Sequence, residues 1–221
     1  MLTLLNAMNL GRLREDLGLS QEEVARHAGI TRTALSLIEN RRLRPSLRTL
    51  NEIERALDPF QRPTRLMQGS GAIAAAESVR ELAAQFGREY ALTLDVASWL
   101  LVRYQTPATA WVYVRDPRTW GKILAGSGVR SAGPSERADL VLLRGSREVF
   151  GGCRDHEGFR LVSLDRLISD CARLGGRRWL DAARLYLEFP AARKPGLRLD
   201  ADAMLKVMEE VVPRTSKGSR A

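Results

Sequence analysis

Apolar residues recur at helical spacing from early in the chain. Leu10, Leu13 and Leu17 put one apolar face on a helix from about Asn9 to Leu17, which Gly18 stops. Ser20 with Glu23 three residues on is a capping box, so a second helix is expected over Gln21 to Ala28, with Val24 and Ala25 inward. Gly29 ends it. Thr31 caps a third helix through about Asn40, turning Leu35 and Ile38 inward, and Pro45-Ser46 open a fourth over Leu47 to Leu57. Between the second and third helices lie only a few residues. Ala25 is small and Gly29 can take a positive φ, so the two helices can cross closely at a steep angle.

Past Asp58 the pattern changes. DPFQRPTRLMQGSG holds two prolines and two glycines without a helical period and reads as a linker, residues 59–71. Ala72 to Phe86 is a helix with Ile73, Ala76, Leu82 and Phe86 expected inward, and Gly87 ends it. Thr93 caps the next helix, LDVASWLLVRY, which Gln105-Thr106-Pro107 breaks. ATAWVYVRD and ADLVLLRG read as buried strands. Between them, Asp116-Pro117 starts a short helix with Trp120, Ile123 and Leu124 inward. REVFGG and GFRLV read as two shorter strands around the polar turn CRDHEG. Ser163 then caps a helix with Leu164, Leu167, Ile168, Cys171 and Leu174 on one face. Gly175-Gly176 turns the chain into another helix, RRWLDAARLYLEF.

The expected architecture is an all-α helix-turn-helix domain at the N-terminus (1–58) and an α+β domain (72–190) with a small sheet flanked by helices. A last amphipathic helix lies within 191–212, presenting Met204, Val207, Met208 and Val211. A disordered tail, 213–221, follows.

Charge sharpens the picture. The net charge of +9 favours an anionic partner. Residues 1–60 carry nine arginines against eight carboxylates, whereas residues 103–221 carry 22 basic side chains against 14 acidic ones. The helical unit is therefore nearly neutral, its positives focused on one face, and the surplus lies in the C-terminal part. Arginine outnumbers lysine 31 to 4, which phosphate binding or a GC-rich genome explains equally well. Two cysteines make no disulfide framework. MLTLLNAMNL lacks a basic n-region and a cleavage site, and ALTLDVASWLLV is short for a membrane span and contains Asp95, so a cytoplasmic protein without a membrane partner is expected.

On the third helix Thr31, Arg32, Thr33 and Ser36 form a short polar face. Its one arginine is able to grip a guanine edge, which suits a helix lying in a major groove. Gln21 sits where the N-terminus of helix two can hold a phosphate. Asn40, Arg41, Arg42, Arg44 and Arg48 follow the third helix, the arginines placed to hold the backbone beyond it. The plainer alternative is a helical bundle with a solvated arginine-rich face.

LSQEEVARHAGITRTALSLIENRR…PSLRTL resembles the helix-turn-helix of the Cro/phage-repressor-like (XRE) family. The matching positions are Gln21, Ala25, Gly29, Ile30, Ser36, Ile38, Glu39, Pro45 and Leu50. The resemblance implies that the start of helix two holds a phosphate and that helix three reads bases. Arg41 departs from the pattern, where the family usually has glycine. A short half-site implies dimeric binding to a double-stranded DNA operator. Further on, FGREYALTLDVASWLLVRYQTPATAWVYV, ADLVLLRGSREVF and GFRLVSLDRLISDCARLGGRRWLDAARLYLEF follow the order of the C-terminal domain of AbiEi-family antitoxins. Ala91-Leu92-Thr93, Tyr113, Ala138-Asp139, Val162-Ser163, Asp170, Gly175-Gly176-Arg177 and Ala182-Ala183 carry that resemblance. It implies an autorepressing antitoxin of a type IV toxin–antitoxin system, with a co-encoded nucleotidyltransferase-type toxin as partner. Such antitoxins usually begin with a winged helix rather than a Cro-like unit.

Catalytic signatures are sparse, and neither an enzyme nor a cofactor is expected. None of Lys122, Lys194, Lys206 and Lys217 has an acid two residues before it, as a nuclease-like Asp/Glu-x-Lys would need. Asp139 reads as a cap or an arginine partner. Gly145-Ser146 lacks the paired carboxylates of a nucleotidyltransferase, and Gly126-Ser127-Gly128 lacks a P-loop lysine. Cys153, Asp155, His156 and Cys171 would have to make any metal site, and Cys153-x-x-His156 is a single pair. His27 is read as a surface residue. Trp99, Trp111, Trp120 and Trp179 are read as core rather than as a stacking platform. Two other roles stay open: a ligand- or partner-responsive regulator, and a DNA-targeted nuclease.

Overall fold

The computed structural model describes residues 10–133 and 135–189, together with Asp202 and Leu205. The last helix and tail expected beyond residue 190 lie outside the described residues, those two helical positions apart.

Helices α1 (Leu10–Asp16), α2 (Gln21–Ala28), α3 (Arg32–Glu39) and α4 (Leu47–Leu57) close on a core of their own: Leu10, Leu17, Val24, Ala25, Ala28, Leu35, Ile38, Ile53, Ala56 and Leu57. The apolar stripe of α1 is not quite the expected one. Leu13 is 36% exposed, and Arg14 takes the inward position between Leu10 and Leu17.

Residues 59–71 are not a free linker. A 3-10 turn, Pro59–Gln61, lays Phe60 against Trp111 and Tyr113, and Thr64–Met67 forms strand β1. Only Leu66 of that strand is buried, so its local pattern carries no strand signal; its two neighbours in the sheet provide it.

Helix α5 (Ala72–Phe86) buries Ala72, Ala75, Ala76, Val79 and Ala83. That face is rotated from the expected one: Ile73 and Phe86 lie outward, because the small residues let the helix approach β2, β3 and β5 closely. Strand β2 (Tyr90–Thr93) leads straight into α6 (Leu94–Val102) through Leu94, buried at φ +53. Then come β3 (Ala110–Val114), α7 (Pro117–Gly126), β4 (Arg130–Ser131) and β5 (Leu140–Arg144).

After β5 the expected strand REVFGG is a helix, α8 (Arg147–Gly151). Val149 and Phe150 are both buried, which consecutive strand positions facing opposite sides would not achieve on one face. Gly145 makes room: a Cβ there would lie 2.7 Å from the Phe150 ring. The segment CRDHEG is only partly a turn. Arg154–His156 forms β6, paired antiparallel with β7 (Phe159–Leu161). Glu157 and Gly158, both at positive φ, make the two-residue hairpin turn. Helices α9 (Leu164–Leu174) and α10 (Arg178–Glu188) pack on each other and on α6.

Among the described residues seven strands form one mixed sheet in the order β4-β1-β5-β3-β2-β7-β6. β3 runs parallel to β5 and antiparallel to β2, and β2 runs parallel to β7. The central strands are buried on both faces, as their continuous apolar runs require. The N-terminal helical unit and this mixed sheet with helices match the expected fold classes. Among the described residues no helix is long and apolar enough to cross a membrane.

Candidate nucleic-acid interface

Helix α2 starts on a complete capping box. The Ser20 hydroxyl accepts from the Glu23 N–H at 3.1 Å, and the Glu23 carboxylate accepts from the Ser20 N–H at 2.9 Å. Gly29 ends the helix at φ +66, the left-handed conformation that glycine adopts without strain, and its N–H bonds the Ala25 carbonyl. Two residues later the Thr31 hydroxyl accepts from the Ala34 N–H at 3.1 Å and starts α3. Leu35 and Ile38 anchor α3 inward. Arg32 and Thr33 are exposed and Ser36 half-buried, so the expected reading face does look outward. Asn40 is spent locally: its side-chain amide donates to the Ser36 carbonyl at 2.9 Å and closes the helix end.

Arg41 stands at φ +59, the conformation that makes glycine common at this position. The bend aims Arg42 and Arg44 outward ahead of α4, on which Arg48 is also exposed. Among the described residues none of Arg32, Arg41, Arg42, Arg44 and Arg48 is held in an ion pair. Five guanidiniums on one small unit are thus available to an outside anion.

Beneath this face lies a cluster whose role sequence reasoning missed. Arg14, 8% exposed, donates to Glu39 at 2.7 and 3.2 Å and to the Leu19 carbonyl at 2.9 Å. The hydrogen bond to Glu39 raises the Arg14 pKa, so this guanidinium stays charged despite its burial. Gln21 donates to the same Glu39 carboxylate at 2.8 Å. The cluster joins α1, the first residue of α2 and the last residue of α3 through one carboxylate. Gln21 is therefore held in place half-buried at the start of α2. The available signal was Arg14 itself, a charged residue at helical spacing between Leu10 and Leu17.

Residues 10–59 match the helix-turn-helix family model. The match covers the four helices just described and identifies them as a helix-turn-helix DNA-binding domain, which supports a role in transcriptional regulation. No curated protein and no solved structure matches the chain.

The other candidate chemistry is dispersed. Asp139 accepts from the Gln68 and Gly69 N–H groups at 3.2 and 2.6 Å and caps the turn after β1. Gly126 closes α7, and Gly145-Ser146 leads into α8. The Cys153 thiol donates to the Val149 carbonyl, the His156 ring bonds the Leu100 carbonyl, and Cys171 is fully buried on α9. Among the described residues no group of three or more metal-ligating side chains comes together. Of the four tryptophans Trp120 is buried, and Trp99 and Trp111 pack partly buried against the core.

The sheet domain buries a denser polar network. Asp170, on α9, accepts from Thr93 at 2.8 Å, from Tyr113 at 3.1 Å and from Arg166 at 2.9 Å. Arg166 also donates to the Tyr113 hydroxyl at 2.7 Å. Burial raises the Tyr113 phenol, which therefore keeps its proton and donates. Asp95 pairs with Arg178 at 2.7 Å. Nearby Asp181 is pushed up to about 7 by burial and then by Asp95.

Proposed function

We propose that this protein is a sequence-specific transcriptional repressor of its own operon, binding as a homodimer. In this reading it is the antitoxin-like component of a type IV, AbiE-like pair whose partner is a co-encoded nucleotidyltransferase-type toxin. The observation that carries the DNA half is the capped, outward α3 beside five exposed guanidiniums that make no ion pair among the described residues, all within the matched helix-turn-helix. The antitoxin half rests on the sequence resemblance of the α+β domain. The chain is read as a binding protein rather than an enzyme, with no cofactor.

The contact assignments are Arg32, Thr33 and Ser36 to bases, and Gln21 with the start of α2, Thr31, Arg41, Arg42, Arg44 and Arg48 to the backbone. Asn40 acts by closing α3. Selection from a randomised duplex library should enrich a two-fold symmetric motif. Arg32→Ala should then cost about 1–3 kcal/mol on that motif and relax one position; equal loss on motif and random DNA would make Arg32 a phosphate contact. For the antitoxin half, growth is measured with the neighbouring co-transcribed gene expressed alone and together with this protein. Rescue by a variant disabled in Thr31–Ser36 separates neutralisation from repression, and a harmless neighbour removes the antitoxin reading.

The second reading, a ligand-responsive regulator, would have to use the cleft between the domains. It is lined by His27, Arg62, Arg118 and Arg144 among others. Its volume is only about 160 Å³, below the ~300–1,000 Å³ usual for small-molecule sites.

A further inference from the structure

The helix-turn-helix sits on one end of the sheet, and topology decides which side chains meet it there. Because β3 and β5 are parallel, the turns that follow them emerge at the same edge. One turn brings Arg115 and the start of α7 with Arg118; the other follows Arg144 and brings Arg147 at the start of α8. All four arginines reach the α1–α2 region. Arg144 donates to the Leu17 carbonyl at 3.1 Å. The Arg147 N–H donates to both Asp16 oxygens at 2.9 Å, so a carboxylate of one domain caps a helix of the other. Arg115 lies 3.8 Å from Asp16, and Arg118 lies 3.7 Å from Glu23.

Two of the four are not held by these contacts. The side chains of Arg118 and Arg147 are 78% and 87% exposed, and their closest carboxylate oxygens lie at 3.7 and 3.9 Å. Exposed pairs at that range add little stability and leave a guanidinium free to turn. Lys122 lies one turn beyond Arg118 on α7, exposed and without an ion pair among the described residues. Glu23 connects this group to the DNA face: one oxygen faces Arg118 while the other holds the Ser20 N–H, the cap of α2. Four guanidiniums and Lys122 meet Asp16, Glu23 and Asp116 here, and Glu148 follows Arg147 in the first turn of α8. The helix-turn-helix itself is almost neutral, and the chain's positive surplus lies in the C-terminal part.

We propose that Arg118, Lys122 and Arg147 of the α+β domain extend the DNA footprint, holding backbone phosphates that flank the one at the start of α2. The inference rests on the DNA-binding reading above. In it the second domain is a fixed electrostatic arm, adding affinity on any sequence and no base preference of its own.

The test is the salt dependence of binding by the full chain, read by fluorescence anisotropy on a random-sequence duplex of ~30 bp between roughly 50 and 200 mM salt. Each lost phosphate contact lowers the slope of log K against log salt by about 0.9. The triple variant Arg118→Ala, Lys122→Ala, Arg147→Ala is therefore expected to lose about two to three units. Triple replacement with lysine at the two arginine positions and arginine at Lys122 should restore the slope. Arg137→Ala removes one exposed charge at the opposite end of β5 and should leave it unchanged. Equal slopes for wild type and the triple alanine variant, with a motif still enriched from the library and still weakened by Arg32→Ala, would overturn the arm and leave the repressor reading standing. No enriched motif, with Arg32→Ala silent, removes the repressor reading and the arm together.

Discussion

Under the helix-turn-helix, Arg14 pairs with Glu39; inside the sheet domain, Arg166 pairs with Asp170. Each carboxylate gathers donors from elements far apart in the chain. Glu39 takes Arg14 and Gln21 from α1 and α2. Asp170 takes Thr93, Tyr113 and Arg166 from β2, β3 and its own helix. They differ in what lies beyond. One Glu39 partner is Gln21, the half-buried first residue of α2, between the exposed Ser20 and Glu22. Every Asp170 partner faces the core or packs along it. The same chemistry thus orients a surface in one domain and locks a fold in the other, and mutations should separate the two.

The largest effect is expected from Asp170→Ala. It strands two buried hydroxyls and a guanidinium and should cost about 3–5 kcal/mol. It should lower the melting temperature sharply while DNA affinity, measured below the transition, stays within about twofold. Glu39→Ala should cost somewhat less, about 2–3 kcal/mol, because beside the guanidinium it strands one half-buried amide, Gln21, rather than two buried hydroxyls. Here affinity should fall as well, since Gln21 and the end of α3 lose their shared anchor. If Glu39→Ala melts the domain without touching affinity, or Asp170→Ala weakens DNA binding in the folded protein, the division of roles is wrong.

A pH titration sharpens the comparison. Asp181 stands at about 7 in the fold, above its unfolded value near ~3.9. A raised carboxylate contributes stability that is fully present below the unfolded pKa and is lost as pH rises through the folded one. Between pH ~6 and ~8 the loss should be roughly 1–1.5 kcal/mol, seen as a falling melting temperature. Asp181→Asn should flatten it. Persistence of the slope in that variant would point to another group. Surface carboxylates with depressed pKa, such as Glu136 beside Arg130, are ionised in both states throughout this window and do not compete.

The smallest effect concerns Arg41. Relieving its left-handed conformation with Arg41→Gly should raise stability by about 0.5–1 kcal/mol. If Arg41 also holds a phosphate, the salt slope should fall by about one unit. A variant both more stable and weaker on DNA would show a strained residue kept for binding.

The two domains also differ in how much of them could be read from the chain. In the helix-turn-helix, α2, α3 and α4 begin where the capping residues place them, because Ser20–Glu23, Thr31 and Ser46 act on partners three residues away, and Gly29 ends α2 by bonding back to Ala25. The α1 stripe misled only where a charged residue, Arg14, took an apolar position to meet Glu39, 25 residues on. In the sheet domain the long apolar runs of β3 and β5 were legible, since strands covered on both faces need them. β1, β2 and β6 were not. TRLM and RDH are too short and polar to carry a period, and they become strands by pairing with residues far along the chain. YALT is buried throughout and merges into the helix that follows.

By itself the sequence determined the helix-turn-helix, the polar composition of its third helix and the separation of a nearly neutral reading unit from a basic second domain. Those depend on local capping, helical period and composition. Only the tertiary structure decided that Arg14, Gln21 and Glu39 share one site, that Thr64–Met67 of the expected linker join the sheet, and that Asp16 caps α8. It alone placed Arg118 beside the start of α2 and Arg147 against the end of α1. That placement follows from two strands running parallel, a relation between distant segments that no local pattern encodes.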